Sequence, residues 1–101
     1  MKLYDLFYTE KAETDILSIV NYIRSNLYSP FDAERFYRGI NGTIENLKTT
    51  AGIHRLQTIQ VSNDVFFGVS RINYKGFAII YTLEENLVII LRVIHGSLIT
   101  G

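Results

Sequence analysis

Apolar residues in this chain follow two different periods, and the change from one to the other divides it into elements. "KLYDLFYT" near the start is rich in Tyr, Phe and Leu and predicts a short strand. From Thr9, a residue suited to cap a helix, a helical period begins: Ala12, Ile16, Ile19, Val20, Ile23 and Leu27 recur at spacings of three and four. Glu10, Glu13 and Asp15 crowd the first turn, where the helix dipole favours anions, so an amphipathic helix is expected to about residue 27. "SPFD" then punctuates the chain, with Ser29 as N-cap, Pro30 at the first helical position and Asp32 three residues after the cap. Ala33, Phe36, Tyr37, Ile40, Ile44 and Leu47 form the apolar stripe of a second helix that stops near "TTAG". Gly39 and Gly42 interrupt it at about 1 kcal/mol each relative to Ala, which predicts close approach of the two helix backbones. So short a turn makes the helices an antiparallel hairpin.

After Gly52 the helical period disappears. "IHRLQTIQVSND" holds room for a short strand and a turn, and "VFFGVSRI", "GFAIIYTL" and "LVIILRVI" read as three strands joined by "NYK" and "EEN". With no repeat or linker to mark a boundary, residues 1–101 form one domain of the α+β class. Its predicted architecture is an N-terminal strand and an antiparallel helix hairpin packed on one face of a small antiparallel sheet.

The last strand is apolar on both faces. Strict alternation places Leu87, Ile89, Leu91 and Val93 on one side and Val88, Ile90, Arg92 and Ile94 on the other. Since two helices cover only one face, the second set is expected to face solvent, and such a patch marks a partner site, with self-association as the rival explanation.

Composition narrows the chemistry. Ten Lys and Arg balance ten Asp and Glu, which removes the cationic excess that non-specific nucleic-acid binding draws on. No Cys is present, so disulfides and thiolate chemistry are excluded, and His54 and His95 alone are too few for a structural zinc site. No metal or cofactor is expected. The N-terminus meets charge before any apolar run, and the longest aliphatic run, Leu87 to Leu91, is far short of a membrane span. A soluble cytoplasmic protein is the expectation.

Few residues offer catalysis. There is no Gly-rich phosphate loop, no HExxH and no GxSxG. Glu84 and Glu85 read as a solvated turn. RNA cleavage by a 2'-hydroxyl would need a base, an acid and a cation on the developing charge, and the candidates are Arg71, Lys75, Arg92 and His95. Arg92 and His95 are three apart and therefore point to opposite faces unless the strand twists or bulges at Ile94.

"AETDILSIVNYI", "SPFDAERFYRGINGTIENL" and "GVSRINYKGFAIIYTLEENLVIILRVIHG" together resemble the RelE/ParE superfamily of bacterial toxins, from about Leu6 to Gly96. The residues that carry the resemblance are Ala12, Asp15, Ala33, Phe36, Tyr81, Arg92, Val93, His95 and Gly96. It implies the toxin of a type II toxin-antitoxin pair and a hetero-oligomer with a cognate antitoxin. RelE-like members cut mRNA on the ribosome with a basic cluster that includes an arginine shortly before the tyrosine matched by Tyr81; here Ala78 stands at that place. ParE-like members poison DNA gyrase without cutting nucleic acid themselves, and the "LRVIHG" ending is nearer that branch, although "SLITG" lacks the basic residues of many ParE-like tails. The expectation is therefore a gyrase inhibitor with no catalysis of its own. The alternatives are a ribosome-dependent endoribonuclease using Arg71, Lys75, Arg92 and His95, or a member that only binds its antitoxin. Val88, Ile90, Arg92 and Ile94 are expected to take a folding C-terminal segment of the antitoxin, and Arg71 and His95 to meet the target.

Overall fold

The computed structural model describes residues 2–100. A first strand, β1 (Asp5–Tyr8), runs directly into α1 (Glu10–Asn21). Thr9 joins them: its Oγ1 accepts the Ala12 N–H at 3.1 Å and donates to the Ile90 carbonyl at 2.8 Å. The helical path continues through a π-helical turn, Tyr22–Asn26, and α2 (Pro30–Glu45) begins at the proline. Ser29 departs from the expected cap, since its hydroxyl donates to the Asp32 carboxylate rather than accepting a backbone N–H. A short α3 (Leu47–Thr50) and a 3-10 turn (Ala51–Ile53) finish the helical part.

The rest is a meander, β2 (Gln57–Val61), β3 (Asp64–Tyr74), β4 (Phe77–Glu84) and β5 (Leu87–His95). The five-stranded sheet has the order β1-β5-β4-β3-β2, with β1 adding parallel to β5 and every other pair antiparallel. Ser62, Lys75 and Glu85 open the three hairpin loops in the left-handed conformation that tight hairpins require.

Two bulges shape the sheet. β3 pairs with β2 up to Val69 and with β4 from Ser70, and Gly68 at φ 64° lies beside a register shift between Gln57 and Ile59. On β5, Ile80 lies opposite Arg92 but Tyr81 lies opposite Ile90, so Leu91 is an extra residue. The bulge resets the alternation. Val88, Ile90 and Val93 all join Ile79 and Tyr81 in the core beneath α1 and α2, while Leu91 and Ile94 join Ala78 and Ile80 on the outer face.

This corrects the sequence expectation. Val88, Ile90, Arg92 and Ile94 do not share an open face: Val88 and Ile90 are 0% exposed under the helices, and Ile94 is buried in the outer cluster. That outer cluster is closed by Ile59 and Val61 of the curled β2, and by the C-terminal tail, where Ile99 bridges Val61 and the Thr100 N–H donates to the Gln60 carbonyl at 2.9 Å. The glycine reading is corrected too. A Cβ on Gly39 would overlap the Tyr74 phenol from β3, so it is a strand side chain and not the other helix that comes close; around Gly42 there is open space. Among the described residues no helix is long and apolar enough to cross a membrane.

Candidate functional site

The fold does not gather the four candidate nuclease residues into one cluster. Past Ile90, β5 has lost its β1 neighbour because the chain has turned into α1, and its edge needs another partner. Asp15 of α1 supplies one. Its carboxylate accepts the Val93 N–H at 2.9 Å and grips the Arg92 guanidinium in a two-pronged pair, Nε at 2.7 Å and Nη2 at 3.1 Å. Both side chains are largely out of water, 16% exposed for Arg92 and 12% for Asp15. The hydrogen bond to Asp15 holds the guanidinium even more firmly protonated than usual, against the opposing effect of burial. Arg92 is therefore occupied within its own chain. The sequence contained the signal, since Asp15 lies three residues beyond Ala12 on the apolar stripe, where a carboxylate needs a buried partner.

Arg71 and His95 do come near one another, on either side of Gly96. The Arg71 guanidinium packs against Gly96 and donates from Nε to Asn73 Oδ1 at 2.9 Å. The exposed His95 ring stands edge-on to Phe77 at 5.3 Å, and its Nδ1 receives the Ser97 N–H at 3.2 Å and contacts Ser97 Oγ at 2.6 Å. Lys75 turns elsewhere, its ammonium 5.8 Å from the centre of the Tyr74 ring. Ala78, in the position where the resemblance called for an arginine, is 0% exposed and faces Ile94 inside the outer cluster. Tyr81 is also wholly buried, and its hydroxyl donates to the Ala51 carbonyl at 2.8 Å, tying β4 to the turn after α3.

A second feature was not visible in the sequence. Between α1, α2 and the end of β1 lies a cleft of about 540 Å³, floored by Ile16 and flanked by Leu17 and Tyr37, with Glu13 and Glu45 at its mouth. Leu17 and Tyr37 also line a second cleft that continues towards Pro30, so the two form one groove along the hairpin. Tyr8 donates to Asn41 Oδ1 at 3.0 Å within it, and its phenol is pushed up to about 12, first by burial and then by the neighbouring Glu45. It stays a protonated donor at physiological pH. The groove is apolar at its centre, with Glu13 lining one end and Glu45 there paired with Lys48 at 2.9 Å.

Residues 6–99 match the model of the family described as "ParE toxin of type II toxin-antitoxin system, parDE". No curated protein matches the chain at a significant level. Among solved structures, the chain is similar to one described as "Chromosomal ParDE TA system from P. aeruginosa", at 20% identity and a TM-score of 0.75, over 92% of this chain and 96% of that one. At that identity the likeness supports the fold.

Proposed function

From the fact that this chain belongs to the ParE toxin family of type II toxin-antitoxin systems, we propose that it acts by binding and inhibiting DNA gyrase, with no nucleic-acid cleavage of its own, and that a cognate antitoxin holds it inactive. The observation that carries the choice between branches is the Arg92–Asp15 pair. A cation committed to a carboxylate inside its own chain offers little charge to a phosphorane. Arg71 and His95 remain at the strand end as a small, partly exposed polar surface with one guanidinium charge, suited to contact a target protein. The test is supercoiling by purified gyrase with increasing toxin. Inhibition with accumulation of cleaved DNA complex is expected; unaffected gyrase together with codon-specific mRNA cuts in a ribosome assay would replace this reading with the endoribonuclease one.

The antitoxin belongs in the α1/α2 groove. With both sheet faces covered, this groove joins exposed apolar surface to a free carboxylate: Leu17 and Tyr37 offer an apolar seat, and Glu13, in no ion pair among the described residues, invites a basic side chain, while Glu45 is paired with Lys48 at 2.9 Å. An amphipathic antitoxin segment that is disordered when free and carries a cation beside an apolar anchor meets both demands. Leu17→Asp should weaken antitoxin binding, measured by calorimetry, by about 30-fold without changing the circular dichroism spectrum. Unchanged affinity would move the antitoxin elsewhere.

A further inference from the structure

The tip of the helix hairpin is built unlike any other connection in the molecule. Of the four described non-glycine residues with positive φ, Ser62, Lys75 and Glu85 open tight hairpin loops, where that conformation is needed. The fourth is Tyr28, at φ 52° between the two helices. A tyrosine is a poor choice for left-handed backbone, where glycine or asparagine is at ease. The ring gives the fold little in return, because it is 88% exposed. On either side of it Leu27 is 55% and Phe31 71% exposed. The knob is nonetheless held: α1 ends in the π-helical turn Tyr22–Asn26, the Leu27 N–H donates to the Tyr22 carbonyl and the Ser29 N–H to the Ile23 carbonyl at 3.2 Å. Strained backbone and π turns concentrate where a side chain has to be aimed at something outside the fold.

The surroundings describe what that something is. Arg35 stacks its guanidinium 4.9 Å from the centre of the Phe31 ring, and Arg35 and Lys75 line a cleft of about 500 Å³ behind Leu27 and Tyr28. Of the cations around the tip, Arg38 is paired with Glu34 at 2.6 Å and Arg35 only loosely with Asp32 at 4.0 Å, which leaves Arg24 and Lys75 outside any ion pair among the described residues. An aromatic centre with an arginine rim is the anatomy of an interface hot spot rather than of a solvated loop. It is also opposite in sign to the carboxylate of Glu13 in the groove between α1 and α2.

We infer that the hairpin tip, with Leu27, Tyr28 and Phe31 at its centre and Arg35 and Lys75 at its rim, is the surface that grips the target protein, inserting into an apolar pocket rimmed by carboxylates. The proposal rests on the gyrase reading only for the identity of that target. Lys75 reaches the tip cleft from the turn that follows β3, so the rim draws on the sheet as well as on the hairpin. The antitoxin in its acidic groove and the target on this cationic tip then use surfaces of opposite sign.

Tyr28→Gly is the informative variant because it removes the ring and relieves the backbone at once, so that lost activity cannot be ascribed to a damaged fold. Combined with Phe31→Ala, it should raise the toxin concentration for half-inhibition of gyrase about 30-fold. Antitoxin affinity by calorimetry should stay within about twofold, and the thermal midpoint of Tyr28→Gly alone should not fall. Undiminished gyrase inhibition by the double variant overturns the proposal, as does an equal loss of antitoxin binding, which would assign the tip to the antitoxin. Should wild-type toxin leave gyrase untouched, the gyrase reading fails separately, and growth arrest on expression without antitoxin decides the tip. Arrest abolished by the double variant supports it; arrest retained overturns it. A fluorescent single-stranded oligonucleotide bound by wild type and released by the double variant would also overturn it, by making nucleic acid the occupant.

Discussion

The two faces of the sheet are closed by different means. The helix side is covered by two amphipathic helices whose stripes, Ala12, Ile16 and Val20 on α1 and Ala33, Phe36, Ile40 and Ile44 on α2, meet Ile79, Tyr81, Val88, Ile90 and Val93. The outer side has no helix. It is closed by the sheet itself, curled at Gly68 so that Ile59 and Val61 reach Ala78, Ile80 and Ile94, and by a tail that lays Ile99 along the rim. One core is distributed over many contacts and two long elements; the other depends on a bulge, a short strand and a few terminal residues.

The sharpest way to break the comparison is Ile90→Asp. On a solvent-facing surface it would leave the fold intact and weaken only a partner. Ile90 instead lies at the centre of the helix-side core, 0% exposed, and a carboxylate there has no cation to meet. The expected cost is about 4 kcal/mol or more, a large share of the whole stability of a domain this size. Loss of the cooperative unfolding transition in urea would show it. A folded variant of wild-type stability would restore the open-face arrangement.

That contrast also marks what the sequence could reveal. The helices were legible because a stripe of period 3.6 is set by local geometry, and Thr9, Pro30 and the loop residues signal where elements begin and end. The meander was legible from its β-rich runs and short turns. The faces of β5 were not, since alternation is counted along one strand while the bulge at Leu91 exists only in the pairing of two. For the same reason the candidate site was only half visible. Arg71 and His95 are close in space as their positions near strand ends allow, but Arg92 is drawn away by Asp15, 77 residues distant in sequence. The groove at Leu17 and Tyr37 and the tip at Tyr28 are products of helix packing and backbone conformation, which composition does not report.

The Arg92–Asp15 pair sits at the boundary of the two faces and sharpens the comparison, because it ties α1 to the strand that both cores share. Asp15→Ala leaves the guanidinium and the Val93 N–H without their partner, at a cost of about 2 to 3 kcal/mol in urea unfolding. Asp15→Asn keeps an acceptor for the Val93 N–H and removes the charge, so its loss should be the smaller. Equal losses in the two variants would show that the charge, and not the edge hydrogen bond, does the holding.

On the outer face, Ile99→Ser withdraws the residue that seals the cluster at the tail. Ile99 is only partly buried, so the cost is about 1 kcal/mol, seen as a fall of a few degrees in the thermal midpoint. Amide exchange distinguishes the faces: protection should drop in β2 while α1 and α2 are unchanged. Uniform loss across the molecule would mean that the two cores unfold only together.

The smallest effect separates the faces by pH. Tyr8 lies in the groove on the helix side, with its phenol pushed up to about 12 by burial and by Glu45. In the unfolded chain a phenol ionises near pH 10, so between about 10 and 12 the unfolded state releases a proton that the native state still holds. Native Tyr8 binds more protons than unfolded Tyr8 across that window. Stability must therefore fall as pH rises through it, and the contribution is fully present below pH 10. Tyr8→Phe removes this slope, at the expense of the hydrogen bond to Asn41, which should lower stability slightly at neutral pH. The expected record is a pair of stability curves that converge as pH rises from about 10 to 12, with the variant less steep. Curves that stay parallel through the window would show that the groove opens to solvent before the phenol titrates, and that its floor is less firmly seated than the outer core.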